Sequence, residues 1–125
     1  MLFLFLVMIG GALGSGARYL TGVAAFRILG AAYPYGTMAV NLAGGFAMGL
    51  LVGLLARMTV PGENWRLLLG VGVLGGYTTF SSFSLDAVNM IQRGDWAAAL
   101  GYILISVVGS IAALFAGLAL VRVAA

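Results

Sequence analysis

The chain contains no cysteine and no histidine, and its 125 residues carry only six basic and three acidic side chains. Without cysteine or histidine there is no disulfide framework, no thiol nucleophile, no haem or zinc ligation and no triad that uses histidine. Charged residues make up 7% of the sequence, against about 25% in an ordinary soluble domain. So few charges cannot cover the surface of a soluble globule of this length, which excludes a cytosolic enzyme. All six basic residues are arginines, scattered about one per segment. A nucleic-acid surface needs them clustered, so no nucleic-acid partner is expected. What is abundant is apolar: 63% of residues, with a mean hydropathy of +1.16. The length suits one domain, at roughly 100–200 residues each, and the composition is that of an integral membrane protein.

A spanning helix needs about 20 mostly apolar residues, and the polar interruptions divide the chain into four such runs. The first is Leu2 to about Ala25, broken only by Arg18. A turn around Pro34 leads to the second, Thr37 to Ala56. Arg57 to Arg66, with Pro61, Gly62, Glu63 and Asn64, has loop chemistry. The third run is Leu67 to about Ile91 and the fourth Trp96 to Val121, joined by Gln92-Arg93-Gly94-Asp95. The N-terminal run has no basic segment ahead of it and no plausible cleavage site, so it is expected to remain in the product. The predicted fold is all-α, one four-span membrane domain over residues 1–125.

Four spans place both termini on one side of the membrane. That side holds Arg57, Arg66 and Arg122; the other holds Arg27, Arg93 and, near a helix end, Arg18. A protein with one fixed orientation shows a bias in such a count, and three against three is none. The balance points to insertion either way up, although so small a count also balances by chance. Four helices leave little room for a pathway, so a transport function needs at least a dimer, and two opposed copies give an antiparallel homodimer.

The 20 glycines read as packing positions. Gly45, Gly49 and Gly53, then Gly109, Ala113 and Gly117, then Gly10 and Gly14, form rows at four-residue spacing that let helix backbones approach in lipid. They predict tight helix pairs without saying which pairs lie between subunits.

Polar groups at membrane depth are expensive and usually functional. Arg18 either snorkels to the interface or lines an aqueous vestibule and attracts anions. Asn41 shares a face with Thr37 and either glues helices or lines a pathway. Tyr102, Ser106 and Ser110 recur every four residues, putting three hydroxyls on one stripe. A membrane serine usually bonds its own i−4 carbonyl, but three in line read better as a polar track. The third span is the most informative. Its segment Gly75-Gly76-Tyr77-Thr78-Thr79-Phe80-Ser81-Ser82-Phe83-Ser84 is poor sequence for an uninterrupted helix. A break at that depth frees backbone groups that protein, water or an ion must satisfy, and free carbonyls suit a cation. Phe80 and Phe83 share a face if the helix resumes; their electropositive ring edges suit an anion's route, and lipid or core contact is the plain alternative. Thr37, Thr79 and Ser82 are candidates for further polar lining. Asp86 has no firm role on this reading.

The third-span block, with Gly36-Thr37, Val40-Asn41-Leu42 and the stretch Gly14 to Arg18, resembles the signature of the Fluc fluoride-channel family, also called CrcB. The resemblance covers nearly the whole chain. It implies an antiparallel dual-topology homodimer that conducts fluoride passively and electrogenically out of the cell through two pores, lowering cytoplasmic fluoride. It implies a plasma-membrane location, in bacteria the inner membrane. It also implies a structural sodium ion at the dimer centre, held by backbone carbonyls of Gly75 and Thr78 from both copies. The fluoride pathway would comprise Asn41, Phe80, Phe83, Tyr102, Ser106 and Ser110, with Arg18 in the vestibule. Two positions depart from the pattern: Tyr77 stands where leucine or phenylalanine is expected, and Ser82 where threonine is common.

Fluoride is small and tightly hydrated, so a selective route must replace water by many modest donors. A fixed cation in the narrow part would hold it too tightly, since conduction needs both entry and exit. The sequence holds no phosphate loop and no carboxylate at the membrane centre, which favours a passive channel. A small multidrug-resistance-type exporter would need an acid in the first span, which has none. A proton-coupled antiporter would have to use Asp86, near the membrane edge. A non-transporting structural subunit would have no need of Asn41, the broken span or the hydroxyl stripe.

Overall fold

In the computed structural model, residues 1–124 are described, and they form helices joined by short turns. Helix α1 spans Leu2–Leu29 and α2 spans Tyr35–Leu55. The third span, Glu63–Gln92, is composite. It comprises α3 (Glu63–Trp65), a π-helical stretch Arg66–Leu74, α4 (Gly75–Tyr77), two extended residues and α5 (Phe80–Gln92). Helix α6 spans Trp96–Ala124. Four segments are long and apolar enough to cross a membrane. Most of their large apolar side chains are exposed on the protomer, as expected where lipid or another subunit, not water, surrounds the helices.

The glycine rows pair within the protomer. Gly45 lies against the Ser110 carbonyl, and Gly49 against the Leu114 carbonyl and Gly117, so α2 and α6 run parallel at backbone contact. Gly10 meets Leu68 and Gly72, and Gly14 meets Val73 and Tyr77, which fixes α1 against the first half of the third span. These close approaches are the main framework.

Two termini explain the turns. Helix α1 runs on to Leu29, past the end expected near Ala25, and stops at Gly30, whose φ of 82° ends it while its N–H still bonds the Phe26 carbonyl at 2.9 Å. Helix α5 ends in a Schellman pattern: the Gly94 amide bonds the Ile91 carbonyl and the Asp95 amide reaches back to Met90 at 2.9 Å. Gly94, at φ 86°, supplies the left-handed residue that this turn requires. The chain therefore reverses sharply, and α5 lies antiparallel to the start of α6.

The third span breaks at Thr78 (φ −83°, ψ 160°) and Thr79 (φ −152°, ψ 123°). The two adjacent glycines stay helical, Gly75 at φ −62° and ψ −38°. Their service is to packing: a Cβ on Gly76 would run into the Gly11 carbonyl of α1. The π-helical stretch before the break is wound more widely than an α-helix, a rare form often found at functional sites.

Candidate functional site

Asn41 of α2 repairs the break. Its Oδ1 accepts from the Thr79 amide at 2.8 Å and its Nδ2 donates to the Thr79 carbonyl at 3.0 Å. Thr79 in turn caps α5, its hydroxyl accepting from the Ser82 amide at 3.1 Å. In a continuous helix the Thr79 amide would serve the Gly75 carbonyl and the Ser82 amide the Thr78 carbonyl. Both donors are turned to side chains instead. The carbonyls of Gly75 and Thr78 thus lose their helical partners, and oxygen donors of this kind fit a hard cation such as sodium. Among the described residues no group of acids could serve as a metal cage, so a cation held here would draw on backbone and hydroxyl oxygens.

Below the break, α2, α5 and α6 enclose an open groove of about 390 Å³. Asn41, Thr78, Phe80, Phe83, Ser106 and Ser110 all line it, with Gly44 and Gly45 forming its smooth wall. The Ser106 and Ser110 hydroxyls are buried and have no hydrogen-bond partner. They do not bond back to their own helix, the usual habit of a lone membrane serine. Two buried and unsatisfied hydroxyls are costly, which makes them the candidate donors for a polar occupant of the groove. Asn41 has one further amide hydrogen beyond the one given to Thr79.

Tyr102 stands between this groove and a second cavity. It is fully buried, its ring lies 5.2 Å from that of Phe83, and its hydroxyl donates to Asp86 Oδ2 at 3.0 Å. Asp86 and Thr37 line the second cavity, about 340 Å³, at the α1–α2 loop. A continuous row of rings, Phe80, Phe83, Tyr102, Tyr33 and Tyr35, connects groove to loop with centroid spacings of 5.2–5.7 Å. Burial, with the Tyr35 phenol adding to it, pushes the Tyr33 phenol above its ordinary range, so it stays a neutral hydroxyl at neutral pH.

Phe80 and Phe83 touch, with centroids 5.6 Å apart, but their settings differ: Phe83 is 7% exposed and Phe80 77%. Thr37 lies at the loop cavity, away from the groove. Ser82 and Arg18 line neither cavity, whereas Thr79 lines the groove while its hydroxyl oxygen accepts the capping bond from Ser82. Because α1 continues to Leu29, Arg18 sits about three turns from the helix end. It is just past the Gly14 contact with Tyr77, and hence near the level of the break, too deep for easy snorkelling to that end. Tyr77, the unexpected residue, is anchored by Thr21 at 3.0 Å. Since the Thr21 hydroxyl donates to the Ala17 carbonyl at 3.0 Å, it is the tyrosine that donates to Thr21.

The role of Asp86 as acceptor for Tyr102 was not anticipated, though a signal existed: the two are equidistant from Gly94, and residues equidistant from a tight helical hairpin face one another.

A family model described as CrcB-like protein, Camphor Resistance (CrcB), matches residues 5–118. The chain belongs to the CrcB family. Relatives match this CrcB chain over nearly all of its residues. A protein of Chelativorans named Fluoride-specific ion channel FluC is 59% identical over 119 residues, 95% of each chain. Proteins of the same name from Caulobacter vibrioides and Mesorhizobium japonicum are 56% and 50% identical, covering 95% of this chain and 94% and 95% of their own. The resemblance expected from the third-span block therefore holds across the CrcB chain as a whole.

Proposed function

We propose that this protein is a fluoride-selective channel of the plasma membrane, a passive transporter and not an enzyme, through which fluoride leaves the cell down its electrochemical gradient. The observation that carries the reading is the pair of buried, unpartnered hydroxyls of Ser106 and Ser110 in line with Tyr102. They are donors with nothing to donate to until an anion is present. Fluoride would enter the groove past Asn41 and the edges of Phe80 and Phe83. It would pass from Ser110 to Ser106 and on to Tyr102, whose single hydroxyl hydrogen, otherwise given to Asp86, would swing to the ion, and it would leave past Thr37. Each donor is neutral, so each replaces water without trapping the ion.

The working unit is an antiparallel homodimer in which Phe80 of one copy closes the groove of the other. Supporting this are the 77% exposure of Phe80 beside an open groove and the near-balanced arginines. With Arg18 at depth, loop and end arginines stand at two against three, still without a decisive bias. The Gly75 and Thr78 carbonyls of two such copies would hold a sodium ion, whose charge would satisfy four oxygens that lack helical donors. Arg18 lines neither cavity of the protomer, so a vestibule in which it draws anions inward would have to be completed by the second copy. Thr79 adds to the groove lining and, with Ser82, forms the cap that shapes the break.

The test is ion efflux from liposomes containing the purified protein, read by fluoride and chloride electrodes. Fluoride efflux that waits for a potassium ionophore, without chloride efflux, is expected. Absence of fluoride efflux from folded protein would overturn the reading, and efflux that needs a proton gradient would move it to antiport with Asp86 as the coupling acid.

A further inference from the structure

On the channel reading above, we infer that Arg93 recruits fluoride to the Tyr102 end of the hydroxyl track, and that Asp95 moderates it. The loop cavity of about 340 Å³ is where that track meets water, because Thr37 and Asp86 line it and Asp86 holds the Tyr102 hydroxyl. Among the described lining residues Asp86 is the one acid and Arg93 the one base; the rest are neutral, including Asn89, Tyr33 and Tyr35. A carboxylate at the mouth of an anion route repels its own substrate. Arg93 lies seven residues beyond Asp86, two turns along the same side of α5 and just past its end. An arriving anion therefore meets the guanidinium before the carboxylate.

Arg93 is not neutralised where it stands. Its Nε lies 3.5 Å from Asp95 Oδ2, and both side chains are more than half exposed, so the pair is loose and screened. Asp95 tethers the guanidinium at the rim and subtracts part of its field. Arg27, in the last turn of α1 at the same end of the bundle, does not line the cavity. A single cation at a concave, low-dielectric mouth raises the local anion concentration, an effect on arrival rate that salt screens.

The experiment is fluoride flux through wild type, Arg93→Gln, Arg93→Lys and Asp95→Asn, at low fluoride with an impermeant background anion. Two ionic strengths are compared, about 10 mM and about 500 mM, between which the screening length falls from roughly 30 Å to a few Å. At low salt Arg93→Gln should slow flux about threefold and Asp95→Asn should quicken it about twofold, with Arg93→Lys near wild type. At high salt the four should converge. Equal low-salt flux in wild type and Arg93→Gln would overturn the inference. So would a loss that persists at high salt, or Asp95→Asn moving in the same direction as Arg93→Gln, since both denote damage to the turn. Wild type that carries no fluoride at either salt removes the channel reading itself, an outcome distinct from a conducting wild type indifferent to Arg93.

Discussion

The side-chain amide of Asn41 takes the place of a backbone partner for Thr79, accepting from its amide at 2.8 Å and donating to its carbonyl at 3.0 Å. One residue of α2 thereby satisfies both polar groups of the extended residue at the centre of the third span. Asn41→Leu should leave both unsatisfied at membrane depth and lower stability by about 2–4 kcal/mol. The measurement is the unfolding midpoint in detergent. Asn41→Asp at neutral pH sets a carboxylate against the Thr79 carbonyl at membrane depth, and is expected to be no more stable than the leucine variant. An Asn41→Leu protein as stable as wild type would mean the break is held by other contacts.

That pairing shows where sequence reading reached its limit. Glycines and hydroxyls marked the third span as discontinuous. Which residue leaves the helix depends on a contact 38 positions away in sequence, which propensity does not report. The adjacent glycines stayed helical because α1 presses on Gly76; what they lack is bulk. The rows of small residues were legible, but their pairings became clear only once α2 met α6 and α1 met the third span. Ser106 and Ser110 were legible as a stripe from their spacing. Their lack of partners was not, because a serine's rotamer chooses between its own carbonyl and the groove.

Ser106→Ala and Ser110→Ala separate packing from conduction. Neither hydroxyl has a partner, so removing it takes away an unsatisfied polar atom and should leave stability unchanged or slightly raised. If each hydroxyl donates to the passing ion, fluoride flux should fall about two- to tenfold per substitution, the kinetic equivalent of one modest hydrogen bond. Thermal midpoint and flux measured on the same preparations decide the matter. Falling stability with unchanged flux would make the serines structural.

Tyr77 and Thr21 form a local tie between the break and α1, and the tyrosine donates. Tyr77→Phe and Thr21→Val should each cost about 1 kcal/mol. The double variant should cost little more than either alone, because the two share one interaction. Additive losses would show that the hydroxyls act independently. If the tie also steadies the Gly75 and Thr78 carbonyls, added sodium should raise the midpoint of Tyr77→Phe less than that of wild type.

Gly49 and Gly101 are both helical glycines with opposite expected behaviour. A Cβ at Gly49 would overlap the Leu114 carbonyl, a backbone atom that cannot swing aside, while nothing within 4 Å meets one at Gly101. Gly49→Ala should separate α2 from α6 and sharply reduce the yield of folded protein. Gly101→Ala should be neutral or stabilising by up to about 1 kcal/mol, from the reduced freedom of the unfolded chain. Detergent-extracted yield and gel-filtration profile distinguish them.

The orientation of the chain can be forced, which tests the antiparallel arrangement directly. Thr59→Arg with Val60→Arg loads the loop after α2, and Gln92→Arg with Ala97→Arg loads the turn between α5 and α6; all four positions are exposed. With the native arginines so nearly balanced, two extra charges on one side should fix each variant in a single orientation, and the two orientations should be opposite. Each variant expressed alone would then supply copies of one hand only. No antiparallel pair could form, the groove beside Phe80 would stay open, and fluoride efflux should be lost. Co-expression of the two should restore efflux, because each supplies the orientation the other lacks. Full activity from either variant alone, with its single orientation verified by one-sided labelling of an introduced cysteine, would show that copies of one hand suffice, and the antiparallel dimer would have to be abandoned.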